Sequence, residues 1–370
     1  MSTPFLAKLQ AQTNSIQLTQ SYSTHRCSPT RAAFLTGRYP FRYGLGVDPI
    51  TKTLPTGLPL SQELLPSHLK KAGYRTRAYG KWHLGYGNSS YLPENRGFDS
   101  FYGFYGPGTD YFTHKARLNG RFPYKICNYF NNSDLVDTKH GTYITDDLTD
   151  EFLAYFNTDD KSAPSFTLLA YNAPHEPISA PQVEVDQLRQ LYSERYNSSD
   201  QPSEKYLEYH ASIRIMDRSI ERIYNRVMES ERETIIVFMS DNGAALVPGD
   251  QVGCNFPYRG KKSTLLEGGT LSPTLVISTR HEFKKNTNSG LIHIVDWFPT
   301  ILSMAKANYN GTHLDGVDQT KMIFEEKVWR RKRKEPFTAR SAFIYGAHHV
   351  FNRAADGKIS TQIKKNLFNF

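Results

Sequence analysis

A thiol beside a helix start is the first feature of this chain that could do chemistry. In Cys27-Ser28-Pro29-Thr30-Arg31, Pro29 suits the first helical position, where its missing N–H costs nothing. Ala32, Ala33, Phe34 and Leu35 propagate a helix, and Gly37 suits a left-handed stop. Cys27 would then lie just outside the positive end of a short helix, where a thiolate or a bound anion is stabilised. Arg31 would lie one turn along and reach back toward the same point. A buried cysteine at a helix cap is the structural alternative. Further along, Gly80-Lys81-Trp82-His83 alternates on an extended segment, so Lys81 and His83 can address one site. Ala173-Pro174-His175 and Asp241-Asn242-Gly243 each follow an apolar run. Asp241 and Asn242 offer adjacent oxygen ligands on a turn that Gly243 lets bend sharply. Such donors suit Ca²⁺ or Mg²⁺ rather than zinc, against the plain-turn reading of the same tripeptide.

The elements that must carry these groups follow from patterning. Thr3-Pro4 with Leu6 and Leu9 predicts a short helix, and Ile16 to Tyr22 a strand. Ser61 is a plausible N-cap for a helix through Leu69 that stops at Gly73. Tyr74 to Tyr79 predicts a strand, with Gly80 to Gly85 at its end. Residues 86–133 read as a long irregular loop system, of the kind that is usually functional. Thr142 to Phe156 predicts an amphipathic helix, Ser165 to Tyr171 a strand, and Gln201 to Ser230 a long helix. Thr234 to Met239 is an apolar strand, Leu271 to Ser278 another, and Asp296 to Ala305 a helix. Strands alternating with helices imply an α/β domain whose largely parallel sheet is buried on both faces. Lys81, His83, His175, Asp241 and Asn242 all fall just past carboxyl ends of strands, the edge where such sheets bind ligands.

The 370 residues are enough for one large domain or one and a half. A formal net charge of +9 favours anionic partners such as sulfated or phosphorylated sugars, nucleic acid or acidic headgroups. No apolar stretch approaches a membrane span. The three cysteines are too few for a disulfide framework, and no Cys-x-x-Cys pair suggests zinc, although Cys127 and Cys254 could pair. Residues 1–20 show no signal peptide, yet four glycosylation sequons begin at Asn88, Asn131, Asn197 and Asn310. The basic run Lys327 to Lys334 reads as a solvated linker or helix face.

Cys-x-Pro-x-Arg followed by Leu35-Thr36-Gly37-Arg38 resembles the signature of the type I sulfatases, with arylsulfatase B-like (N-acetylgalactosamine-4-sulfatase) enzymes the nearest in pattern. Gly80-Lys81-Trp82-His83-Leu84-Gly85, Ala173-Pro174-His175, Asp241-Asn242-Gly243 and Lys262 to Glu267-Gly268-Gly269 carry the resemblance along the chain. It implies the alkaline-phosphatase-like α/β fold, with a catalytic domain over 1–305 and the start of a truncated smaller subdomain over 306–370. It implies conversion of Cys27 to formylglycine by a formylglycine-generating enzyme. A single Ca²⁺ would be held by Asp241, Asn242 and the oxygen replacing the Cys27 sulfur. Lys81 and Lys262, rather than Lys261, would bind sulfate, and Arg31 would orient the formylglycine. His83 would position or deprotonate its hydrate, and His175 would protonate the leaving oxygen. Asp217 and Asp296 would be structural. The substrate would be a sulfated glycan or an aryl sulfate, with neither nucleic acid nor membrane as partner, in a lysosomal or secreted setting.

The same comparison implies an opening strand ending in an Asp-Asp pair, and no Asp precedes Asp48 in this sequence. The second reading is therefore a protein that binds sulfated glycans with impaired turnover. A phosphoester hydrolase of the alkaline-phosphatase group is the third, disfavoured because such enzymes use Ser or Thr where this chain has Cys27.

Overall fold

The computed structural model describes residues 2–46, 48–51, 55–117, 125–159, 162–195, 201–245, 252–309, 313–325, 339–340 and 342–343, with the backbone of 350–353 and 359–362. The basic run at 327–334 and the sequons at Asn197 and Asn310 lie outside the described residues. Helices are α1 (Pro4–Gln10), α2 (Cys27–Thr36), α3 (Leu65–Lys71), α4 (Ile144–Thr158), α5 (Gln182–Ser193), α6 (Glu204–Met228), α7 (Glu267–Thr270), α8 (Trp297–Met304) and α9 (Thr320–Phe324). Strands are β1 (Ser15–Leu18), β2 (Ser21–Tyr22), β3 (Arg75–Lys81), β4 (Ser100–Phe104), β5 (Lys115–Arg117), β6 (Lys125–Cys127), β7 (Phe130–Asn131), β8 (Asp134–Leu135), β9 (Ser165–Ala170), β10 (Ile235–Met239), β11 (Thr274–Ser278), β12 (Thr287–Asn288), β13 (Ile292–His293), β14 (Val350–Arg353) and β15 (Ile359–Gln362).

Two sheets dominate, in the orders β10-β11-β1-β12 and β8-β7-β4-β3-β9. Strand β3 pairs parallel with both β4 and β9, whereas β11 runs antiparallel to both β1 and β10. Alternate residues of β3 enter opposite layers: Tyr79 packs with Leu148, Phe152 and Ile215, while Ala78 packs with Leu65, Leu69 and Phe298. Strand β11 behaves likewise, Leu275 and Ile277 meeting Phe5 and Leu9 while Val276 meets Ile16 and Trp297. Each fully buried side chain of this kind contributes about 1.5–3 kcal/mol of transfer free energy.

The edges β9 and β10 differ from these. Residues of β10 alternate between two core layers, Val237 in one and Phe238 in the other, yet every residue from Ile235 to Met239 keeps intermediate exposure. The same holds from Phe166 to Ala170 in β9. Exposure that ignores which face a side chain occupies comes from the open edge of the strand. Among the described residues no pairing joins β9 to β10. They nevertheless face each other. At their amino ends Arg232 Nη1 reaches Asp159 Oδ2 at 2.9 Å and Ser165 Oγ at 3.4 Å, and Asp159 Oδ1 accepts from Arg75 Nη1 at 2.9 Å. At the carboxyl ends Lys81 Nζ, on the strand β3 that pairs with β9, lies 3.9 Å from Asp241 Oδ2 just after β10. The two strands therefore point the same way across an open slot.

Several expectations change in detail. Cys27 is the first residue of α2 rather than a residue outside it, and Pro29 is the third. The first four helical N–H groups have no intrahelical acceptor, so proline costs nothing there either. The helix expected from Ser61 starts at Leu65 because Pro66, restricted in φ, fixes its first turn. Strand β4 lies within the stretch read as loop, and α5 was not predicted at all. Cys127 and Cys254 are exposed, unpaired thiols. Asp217 is structural as expected: its carboxylate accepts the Phe5 and Leu6 N–H groups at 2.7 and 2.9 Å, satisfying the first turn of α1. So is Asp296, which accepts from Arg340 at 2.6–3.0 Å and from the His293 and Val317 amides.

Candidate active site

The α2 amino terminus, the turn after β3, the loop after β9 and the loop after β10 meet at one point. Cys27 is buried there, its Sγ 3.5 Å from Asn242 Oδ1. Thr30 Oγ1 donates to the Asp241 carbonyl at 2.6 Å and lies 2.7 Å from Thr24 Oγ1, so the α2 terminus and the Asp241 loop are bonded directly. Gly243 makes the loop possible. A Cβ there would stand 1.9 Å from the Gly268 carbonyl oxygen, and the Gly243 N–H donates to Gly269 O at 3.0 Å. The Glu267-Gly268-Gly269 run is thus a support on which the Asp241-Asn242 turn rests. Tyr22 Oη donates to the Glu267 carboxylate at 3.1 Å and ties that support to β2.

Lys81 and His83 are both buried. His83 Nε2 is 2.9 Å from the Ile50 carbonyl, which can only accept, so Nε2 carries the hydrogen and Nδ1 is left as an acceptor. Nδ1 is buried and has no other partner. Burial pulls the imidazole down to about 4, with hydrogen bonding to Cys27 only partly opposing it, so the ring is neutral at pH 7. His175 is oriented by its Nδ1, 2.7 Å from the Glu176 carbonyl, which leaves Nε2 for other work. For the Cys27 thiol, burial acts upward, but Lys81, His175, His83 and Lys262 outweigh it and hold the group well below its ordinary value. That response identifies a pocket built to stabilise negative charge at residue 27.

All the residues singled out from sequence converge here, with two refinements. Arg31 does not point a free guanidinium at Cys27: its Nε donates to the Trp82 carbonyl at 2.7 Å and its Nη2 to that of Lys81. It fixes the Lys81-Trp82-His83 backbone against α2. Lys262 is part-buried and its N–H donates to Ala244 O at 3.0 Å, while Lys261 is exposed. Sequence reasoning missed Thr30, the Ile50 carbonyl and Tyr22. Thr30 fills an unspecified position of the Cys27–Arg31 motif and the other two lie outside any motif, since each works by a hydrogen bond to backbone or to a remote loop.

Asp241 and Asn242 fit a hard cation in donor type but not in number. Among the described residues no three His, Cys, Asp or Glu side chains form a metal-binding group. A calcium ion takes six to eight oxygens, so these donors form at most one face of such a site.

The chain is similar to known proteins over most of its length. The family model described as Sulfatase matches residues 1–307. Arylsulfatase J of Mus musculus is 34% identical over 332 residues, covering 88% of this chain and 52% of its own. N-acetylgalactosamine-6-sulfatase of Homo sapiens is 31% identical over 298 residues, covering 75% and 53%. The chain spans about half the length of the curated relatives it matches. Among solved structures, Ps i-CgsB in complex with k-i-k-neocarrahexaose superposes with a TM-score of 0.74 at 29% identity, covering 86% of this chain and 69% of that one.

Proposed function

Because the chain belongs to the sulfatase family and has its alkaline-phosphatase-like α/β fold, we propose that the protein to which it belongs hydrolyses sulfate esters of sugars or aryl alcohols at the Cys27 site. The observation that carries this is the convergence of Lys81, Lys262, His83 and His175 on a buried residue 27 at a helix amino terminus. A relative named N-acetylgalactosamine-6-sulfatase and a neighbour solved in complex with k-i-k-neocarrahexaose support a sulfated glycan as substrate class. Production in the secretory pathway, with the formylglycine-generating enzyme as a transient partner and a lysosomal or secreted destination, belongs to the same reading. Among the described residues no helix is long and apolar enough to cross a membrane.

Converted to formylglycine, residue 27 supplies a hydrated aldehyde with two hydroxyls on one carbon. His83 Nδ1 is the acceptor placed for a proton from that group. Lys81 and Lys262 hold the sulfate oxygens, and their charge counts most as negative charge grows in a site with little water. In its doubly protonated form, with Nδ1–H held by the Glu176 carbonyl, His175 would give its Nε2 proton to the departing alkoxide. Arg31 keeps Lys81 and His83 in register with α2. A Ca²⁺ held at the site would supply Lewis-acid polarisation of the sulfate. Asp241, Asn242 and the oxygen at residue 27 would form one side of its site. The other side calls for carboxylates at the carboxyl end of a strand filling the slot between β9 and β10.

That shortage of donors favours the second reading for residues 1–370 taken alone, salt-sensitive binding of sulfated glycans with little turnover. The test is to produce the chain with the formylglycine-generating enzyme and measure aryl sulfate hydrolysis with and without an added amino-terminal strand ending in Asp-Asp. Negligible hydrolysis that rises with the strand and vanishes in Cys27→Ala is expected. Robust hydrolysis by residues 1–370 alone would refute the need for further carboxylates, and hydrolysis that survives Cys27→Ala would remove the nucleophile from the reading.

A further inference from the structure

The loop that carries Lys262 exposes an unusual amount of apolar surface. Phe256 is 88% exposed, Tyr258 49%, Leu266 47% and Leu265 37%. Single exposed apolar side chains need no explanation, but four within eleven residues form a patch. The patch is not on a slack segment. Asn255 Oδ1 accepts the Ala244 N–H at 2.9 Å, and its Nδ2 donates to the Ala244 and Gly260 carbonyls at 3.1 and 3.3 Å. Tyr258 N–H donates back to Asn255 O at 2.8 Å, and Gly268 N–H to Arg259 O at 2.8 Å. The loop is therefore bonded to the residue two positions beyond Asn242, and Phe256 is held beside the rim with its ring in solvent. Exposed Arg259 and Lys261 interleave with these aromatics.

We propose that Phe256 and Tyr258, with Arg259 and Lys261, form a subsite for a sugar ring adjoining the sulfated one, so that the site takes a polyanionic glycan chain rather than an isolated sulfated monosaccharide. This rests on the sulfate-ester reading of the Cys27 site and deepens it. A pyranose ring has an apolar C–H face that covers an aromatic ring, while its acidic or sulfated substituents at the ring edge meet the arginine and lysine. An aromatic side chain is suited to this because it offers a large rigid area with little rotamer entropy to lose. The bonds that hold Asn255 fix the loop backbone that carries Phe256 before the ligand arrives.

The experiment is equilibrium binding to the full chain of three probes: inorganic sulfate, N-acetylgalactosamine 6-sulfate and a chondroitin 6-sulfate hexasaccharide. The hexasaccharide is expected to bind about ten-fold tighter than the monosaccharide, and Phe256→Ala to remove most of that advantage. Inorganic sulfate and monosaccharide affinities stay unchanged in the variant, because the ring touches neither. Phe256→Ala also leaves the salt dependence of hexasaccharide binding as it was, whereas Lys261→Ala flattens it. Equal affinity for hexasaccharide and monosaccharide, or a Phe256→Ala loss equal for all three probes, would overturn the subsite. A change in sedimentation on Phe256→Ala with glycan affinity unaltered would assign the patch to a protein contact instead. Failure of the unmutated chain to bind inorganic sulfate would bring down the sulfate reading itself, and the subsite with it.

Discussion

Asp159→Asn tests what holds the two large sheets side by side. The Asp159 side chain is 2% exposed and receives Arg75 Nη1 and Arg232 Nη1, each at 2.9 Å, as well as the Tyr155 hydroxyl. Arg75 belongs to β3 and Arg232 precedes β10, so one carboxylate joins both halves. Hydrogen bonds to charged groups are worth about 1.5–3 kcal/mol each. Here Arg75 is 37% exposed and Arg232 16%, so solvent screens part of the attraction. A loss of about 2–4 kcal/mol at pH 7 follows for the variant, of the order seen when one partner of a buried pair is removed. Burial acts upward on the Asp159 carboxyl, but Tyr155, Arg232 and Arg75 hold it below the usual carboxylate range. The unfolded chain therefore takes up its proton first as pH falls. The stabilisation is complete above the unfolded-state value near pH 4 and is lost as pH drops through the lower folded-state value. Urea unfolding followed by tryptophan fluorescence at pH 7 and near pH 3 measures both effects. The gap between the parent and Asp159→Asn should be wide at pH 7 and narrow in acid. A gap below about 0.5 kcal/mol at pH 7, or one that does not close in acid, would refute this account of the junction.

Two further outcomes follow from the site. In a chain extended with an Asp-Asp strand, Lys262→Ala should lower sulfate-ester turnover by about a hundred-fold or more and Lys261→Ala by far less, read from kcat/KM on an aryl sulfate; equal losses would break the register placed on Glu267. Pro29→Ala and Arg31→Ala should each stop the mass loss of the Cys27 peptide when the modifying enzyme is present, by mass spectrometry of tryptic digests, and complete conversion in either would show that the motif is not read at those positions.

The site was legible where chemistry and strand ends coincide. Lys81 and His83 come at the end of an alternating extended stretch and His175, Asp241 and Asn242 after apolar ones, and the structure brings these loops together around Cys27. Strand β4 was not legible because Ser-Phe-Tyr-Gly-Phe contains a glycine that strand patterning disfavours. Gly103 is there because its φ is 154° and a Cβ would meet the Gly80 carbonyl oxygen at 2.2 Å. Helix α5 escaped notice because little of it faces inward, with Glu184, Val185 and Leu188 its buried residues. The antiparallel placement of β11 depends on pairing Ser15 with Ile277, a partnership across most of the chain that local patterning cannot see. Thr30 left no trace in sequence, since a threonine in a helix's first turn looks the same whether or not a distant carbonyl awaits its hydroxyl.

The open slot has a consequence for how ligand affinity and folding are linked. Lys81, His83 and His175 ride on the sheet that ends in β9, whereas Asp241, Asn242 and Lys262 ride with the sheet that ends in β10. Among the described residues no ladder of backbone bonds joins those strands, so the spacing between the two sets of charges rests on side-chain contacts such as those of Asp159. On the sulfate-ester reading proposed above, an anion held by Lys81 on one side and Lys262 on the other would act as a clasp across that junction. Each such anion draws the half-sheets together, and part of its binding energy is spent on closing them. Affinity for sulfate and cohesion of the sheets are then two readings of one equilibrium: whatever stiffens the junction tightens the ligand, and whatever ligand is bound stiffens the junction.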